Sequence, residues 1–201
     1  MKHMEIEVKF PVDDARALLR GIAALGGRSQ GRVFETNFCF EDAKNSLTRK
    51  KSLLRLRRDT RTTLTFKSIP EIKDSQFKVF KEMEVGLDSF DTMASILEAI
   101  GFHRAQVYEK WRETFFCQTV QLCLDTLPLG TFLEIEGPRE AILAISQKLE
   151  LPWESRILAN YLEMFGQLRR QLNLSFKDVT FDNFRGISID PAWPRTFAAG
   201  L

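Results

Sequence analysis

The segment Glu5-Ile6-Glu7-Val8-Lys9 sets three ionisable side chains at alternate positions, with Ile6 and Val8 between them. Period two is the signature of a β-strand with chemically opposite faces. A single strand of this kind is ordinarily half-buried, with its charges in water. The pattern, however, returns along the chain. Arg55 and Arg57 alternate with Leu54 and Leu56, and Thr63, Thr65 and Lys67 with Leu64 and Phe66. Glu82 and Glu84 alternate with Met83 and Val85, Lys110 and Arg112 flank Trp111, Asp125 follows Leu124, and Glu134 and Glu136 flank Ile135.

These charges sort by sign. Glu5/Glu7, Glu82/Glu84 and Asp125/Glu134/Glu136 are acidic groups; Arg55/Arg57/Lys67 and Lys110/Arg112 are basic ones. On a solvated sheet face such pairs contribute only ~0–1 kcal/mol each, so strand after strand of them points to charges facing one another across an enclosed space. A closed barrel with a polar lumen, its apolar outside covered by helices, satisfies both faces; a flat sheet with a salted outer face is the alternative. Clustered carboxylates are oxygen ligands for hard cations such as Mg²⁺ or Mn²⁺. Arg and Lys clusters suit phosphate oxygens. Together they describe a site for a polyphosphate and its metal.

The elements that must carry these residues are legible from periodicity. Strands are expected over 5–10, 32–40, 53–59, 61–68, 76–85, 104–117, 120–127 and 129–136. Helices are expected from Asp13 or Asp14 to Leu25, over 88–100, over 140–149 and over 157–172, with loops at 41–52 and 69–75. The resulting class is α+β, built on an eight-stranded antiparallel sheet. Residues 173–201 show no period.

With 201 residues, 44% hydrophobic and 28% charged, the chain is an ordinary globular one. No apolar run approaches the ~20 residues of a membrane helix, and the N-terminus lacks the core of a secretory signal. Three cysteines without CxxC spacing fit free thiols in a reducing cytoplasm. Two histidines exclude a His-rich metal site, and a net charge of +2 argues against a general nucleic-acid grip.

The chain resembles the CYTH superfamily, the triphosphate tunnel metalloenzymes. Glu5-Ile6-Glu7-Val8-Lys9 looks like its ExExK motif. Leu54-Arg55-Leu56-Arg57, Leu64-Thr65-Phe66-Lys67, Glu82-Met83-Glu84-Val85, Lys110-Trp111-Arg112 and Leu124-Asp125 through Glu136 follow in the family's order. The last segment, with Asn160-Tyr161-Leu162-Glu163-Met164, is most similar to the class IV adenylyl cyclase-like (CyaB-like) branch. The resemblance covers residues 1–165 as a tunnel domain and leaves 166–201 as a C-terminal helical or irregular tail. It implies an eight-stranded antiparallel closed β-barrel holding a triphosphate with Mg²⁺ or Mn²⁺. Carried over by position, Glu5, Glu7 and Glu136 lead the metal ligands, with Asp125 and Glu134 close by. Lys9, Arg55, Arg57, Lys67, Lys110 and Arg112 bind phosphate, Glu82 and Glu84 support them, and Glu5, Glu7, Lys9 and Glu136 form the catalytic set. Tyr108, His103 and Cys123 read as structural.

The implied activity is hydrolysis of a small triphosphate (tripolyphosphate, ATP or thiamine triphosphate). The alternatives are a class IV adenylyl cyclase and, less favoured, a non-catalytic polyphosphate binder. A homodimer is left open, and neither nucleic acid nor membrane is expected as a partner.

Overall fold

The strands expected from period two close into a ring. The computed structural model describes residues 3–70 and 74–200. Its strands are β1 (His3–Pro11), β2 (Arg28–Asp42), β3 (Leu53–Arg58), β4 (Thr62–Ser68), β5 (Lys78–Leu87), β6 (Phe102–Cys117), β7 (Val120–Leu127) and β8 (Gly130–Glu136). Around the barrel the order is β1-β5-β4-β3-β2-β6-β7-β8, and every pairing is antiparallel. Helices α1 (Ala15–Ala24), α2 (Ser46–Arg49), α3 (Phe90–Ala99), α4 (Arg139–Lys148) and α5 (Tyr161–Gln171) lie around it. This is the expected α+β closed barrel.

The apolar rows facing outward are covered by the helices. Asp14 caps α1 by accepting from the Ala17 amide at 2.9 Å, and the helix buries Leu18 and Ile22 against the barrel. The chain turns out of α1 through Gly26 and Gly27. Gly26 adopts φ +79°, and a Cβ on Gly27 would sit 2.5 Å from the Ile22 side chain. With Ile142 and Ile145 of α4, this layer packs on Val8, Phe10, Leu122, Leu133 and Ile135. Phe90 and Leu97 of α3 cover Phe40 and Leu56 on the opposite side.

A third apolar cluster joins α5 and the C-terminal residues to one end of the barrel. Met164, Phe165 and Leu168 pack with Phe132, Leu127, Val179, Phe184 and Trp193. The capping box that starts α5 is complete: Asn160 accepts from the Glu163 amide, and the Glu163 carboxylate accepts from the Asn160 amide.

Several boundaries differ from the sequence expectations. The strand β2 begins at Arg28, four residues early, because a register irregularity between Ser29 and Arg32 lets it keep pairing with β6. The expected loop 41–52 contains α2, held where the buried Glu41 carboxylate accepts from the Leu47 and Thr48 amides. The last helix starts at Tyr161 rather than 157, since Ile157 is drawn into a bridge with Lys9. The loop expected over 69–75 lies partly outside the described residues.

Phe165 is 1% exposed in the third cluster. Phe165→Ala should therefore lower unfolding stability by about 3–5 kcal/mol, measured by chemical denaturation. A loss under about 1 kcal/mol would mean that α5 and the residues beyond it do not unfold with the barrel.

Candidate active site

Alternation sends one row of each strand inward, and the charged rows are the inward ones. Glu5, Glu7 and Lys9 of β1, Arg55 of β3, Lys110 of β6 and Asp125 of β7 are all buried, and Arg57, Lys67, Arg112, Glu134 and Glu136 share the lumen with them. The barrel thus gathers all the expected phosphate- and metal-binding residues into one interior.

Within that interior each cation is met by a carboxylate or a hydroxyl. Lys110 Nζ lies 2.8 Å from Asp125 and 3.5 Å from Glu35. Arg112 forks onto Asp125, with Nε and Nη2 each at 2.6 Å, and also contacts Glu134. Lys9 Nζ lies 3.2 Å from Glu134 and donates to the Ala159 carbonyl at 3.2 Å. Lys67 contacts Glu5 and lies 2.7 Å from Glu82, and Lys78 lies 2.6 Å from Glu7. Arg55 donates to the Tyr108 hydroxyl at 3.2 Å and to Thr65 at 3.3 Å. Arg57 sits 3.1 Å from Asp59 and 3.9 Å from Glu84, and the Glu84 carboxylate accepts from Thr65 at 2.9 Å.

The acids divide into two kinds. Burial alone would raise Glu35, yet Lys110, Arg112 and Arg57 outweigh it and hold its carboxyl at about 2. Glu134 is likewise held well below the usual range, burial being overcome by Lys9, Arg112 and Lys110. Asp125 has its oxygens taken by Lys110, Arg112 and the Tyr161 hydroxyl at 3.0 Å. At the other end Glu7 pairs directly with Glu136 across the β1–β8 ladder. Burial and the neighbouring Glu7 push Glu5 up to about 7, and the same two causes raise Glu136. In these two the nearby positive charge falls short of offsetting burial and Glu7, whereas Lys78 overcomes burial and holds Glu7 below the usual range.

That shortage is the observation against which a metal is tested. Glu5, Glu7 and Glu136 offer only oxygen donors, which suits a hard divalent cation, and a cation there would relieve their mutual repulsion. Among the described residues, no three acidic, histidine or cysteine side chains are already drawn together tightly enough to hold an ion. Glu5 and Glu7 are engaged instead by Lys67 and Lys78. The residues fit a metal by chemistry and need their lysine partners displaced to hold one.

Sequence reasoning missed four members of the lumen. Glu35 and Asn37 share an inward row with Cys39 on β2, and the period-two test would have found them. Lys78 shares the row of Glu82 and Glu84 on β5. Tyr161 comes from α5, where strand periodicity says nothing. Of the residues expected to be structural, Tyr108 is buried and also binds Arg55. Cys123 faces the lumen, where burial pushes its thiol to about 11. His103 lines a cleft of about 550 Å³ outside the barrel, between the start of β6 and Lys177–Asp178.

The fold and interior define a closed antiparallel tunnel with an ionised lumen. The chain belongs to the CYTH domain family, whose sequence pattern matches residues 3–159. It is 25% identical over 175 residues to a Methanocaldococcus jannaschii protein named "Putative adenylate cyclase", covering 81% of this chain and 99% of that one. Its fold is shared with a Vibrio parahaemolyticus structure that carries the same description, at a TM-score of 0.74 and 20% identity, covering 83% and 99% of the two chains. It is also shared with a Hippeastrum "Putative adenylyl cyclase" described as having a dominant triphosphatase activity, at a TM-score of 0.59 and 20% identity, covering 83% and 96%.

Glu5 binds its proton more tightly in the folded state, so the folded chain carries the extra proton between about pH 4.5 and pH 7. Stability in metal-free buffer should fall as pH rises through that window, by about 3 kcal/mol at most. Glu5→Gln should flatten this decline in denaturation series taken from pH 4.5 to pH 8. An unchanged slope would mean that Glu5 is not the group responsible.

Proposed function

We propose that this chain is a divalent-metal-dependent enzyme that hydrolyses an inorganic or organic triphosphate held inside the barrel. The observation that supports this reading most directly is unmet hydrogen-bonding capacity in an already crowded lumen. Arg55 Nε and the Thr63 hydroxyl are buried with no partner among the described residues. Buried donors of this kind are costly unless a ligand satisfies them, and phosphate oxygens are acceptors of the right charge.

Lys67 and Arg57 would exchange carboxylate partners for phosphate oxygens, and Lys9, Arg55, Lys110 and Arg112 would add phosphate oxygens to the partners they already have. Asp125 and Glu134 stay behind as counter-ions, fixing Lys110, Arg112 and Lys9 in place. Glu5, Glu7 and Glu136 would hold Mg²⁺ or Mn²⁺, with Glu82 and Glu84 orienting Lys67 and Arg57. When bound, the ion neutralises developing phosphate charge and lowers the pKa of a bound water. Phosphoryl transfer asks the protein mainly for position and charge, which a rigid ring of strands supplies.

A second reading is adenylyl cyclase, favoured by the names that relatives carry. The same cations would serve a ribose hydroxyl attacking the α-phosphorus, with pyrophosphate leaving. Phosphorus NMR on tripolyphosphate, ATP and thiamine triphosphate with Mg²⁺ or Mn²⁺ separates the two. Orthophosphate with a diphosphate supports hydrolysis; cyclic AMP with pyrophosphate supports the cyclase and overturns it.

Glu7→Gln and Glu136→Gln should each lower kcat by about a hundredfold or more, with unfolding still cooperative. Near-normal rates would remove the metal assignment. Arg57→Ala should raise KM about ten- to a hundredfold through the lost charge-assisted contact. An unchanged KM would make Arg57 a structural residue.

A further inference from the structure

Arg55 stands apart from the other cations of the lumen. Lys9, Arg57, Lys67, Lys78, Lys110 and Arg112 each contact a carboxylate. Among the described residues Arg55 is held by hydroxyls alone: Nη1 donates to Tyr108 at 3.2 Å and Nη2 to Thr65 at 3.3 Å. A hydroxyl fixes a guanidinium without bringing a charge to cancel it, so Arg55 is set in place and still unpaired. Its Nε is one of the buried donors without a partner.

Tyr108 is in turn set by the C-terminal part of the chain. β7 pairs with β6 only from Trp111 onward, which leaves the preceding edge of β6 open. The buried Val179 takes that edge on both sides of Tyr108. Its amide donates to the Val107 carbonyl at 2.8 Å, and its carbonyl accepts from the Glu109 amide at 2.9 Å. Side chains hold the same register: Asp178 accepts from the Val107 amide at 2.8 Å, and Glu109 accepts from the Phe181 amide at 3.0 Å. The segment is anchored again farther on, where Ala198 bridges to Ile157. Ile157 occupies the edge of β1 past Glu7, where pairing with β5 ends, and its amide donates to the Lys9 carbonyl at 2.7 Å. Residues 178–198 lie beyond residues 3–159, the part of the chain that carries the family pattern.

We propose that residues 178–181 brace β6 so that the Tyr108 hydroxyl holds Arg55 ready for a phosphate oxygen. Tyr108 is a positioning residue for the ligand, and the C-terminal segment belongs functionally to the phosphate site. The proposal rests on the triphosphate reading above.

Full-length variants are titrated calorimetrically with tripolyphosphate in Mg²⁺, and their unfolding is followed in parallel. Tyr108→Phe should weaken binding about tenfold, as one charge-assisted contact loses its geometry. The brace is tested from outside the lumen. Asp178→Ala combined with Glu109→Ala removes both side-chain tethers; Asp178→Asn combined with Glu109→Gln keeps both accepting oxygens. The two pairs lose the same charges, so comparing them isolates the tethers, and the alanine pair should bind about fivefold more weakly. Added to Tyr108→Phe, the alanine pair should cost nothing further, because both act through Arg55. If the alanine pair does not unfold cooperatively, Asp178→Ala against Asp178→Asn carries the same comparison. Wild-type affinity in Tyr108→Phe, or equal affinity in the alanine and amide variants, overturns the proposal and leaves the triphosphate reading standing. Failure of the wild-type protein to bind tripolyphosphate overturns both.

Discussion

Asp125 sits at 0% exposure between Lys110, Arg112 and the Tyr161 hydroxyl, and the barrel interior depends on that contact. Taking an ion out of water costs several kcal/mol, and only a well-placed partner offsets it. One carboxylate from β7 here offsets two cations from β6 and anchors a side chain from α5. Glu134 extends the arrangement to Lys9 on β1 and Glu35 to Arg57 on β3. Neighbouring strands are thus tied through charge as well as through their ladders. The lumen can hold a dense set of ions because strands of one sign, such as β3, β6 and β8, each adjoin a strand that supplies the other.

The acidic end follows a different rule. Where Glu5, Glu7 and Glu136 crowd together, burial first and the neighbouring Glu7 second push the carboxyls of Glu5 and Glu136 upward, while Lys78 holds Glu7 itself below the usual range. Natural cores avoid such crowding unless something outside the chain relieves it. The two halves of the lumen therefore differ: in the half around Asp125 the cations outweigh burial at Glu134, whereas at Glu5 and Glu136 they do not.

Much of the fold was legible because a strand with one charged and one apolar face can bury both only in a closed sheet with covers. Glu5/Glu7, Arg55/Arg57 and Glu134/Glu136 carried that message by alternation alone. Strand order was not legible, since β1 pairs with β5 and β8, its partners being fixed by long-range closure rather than by any local signal. Glu35 and Lys78 were within reach of the period-two test on β2 and β5, where charge was diluted by Asn37, Cys39 and Phe80. Tyr161 was not, because its role comes from where α5 docks. The same holds for Ile157 and Val179, whose pairings depend on gaps that exist only once the barrel has formed.

Closure also imposes an order on biosynthesis. β1 leaves the ribosome before its partners and waits for Lys78 to reach Glu7, 71 residues later, and for the Ala159 carbonyl to reach Lys9, 150 residues later. Until then its ionised row has no enclosure, and β1 is an unpaired edge with Val8 and Phe10 in water. Such non-local pairing is slow to form and open to wrong partners while it forms. Charged side chains on an edge strand disfavour edge-to-edge pairing, and Glu5, Glu7 and Lys9 put three of them on β1.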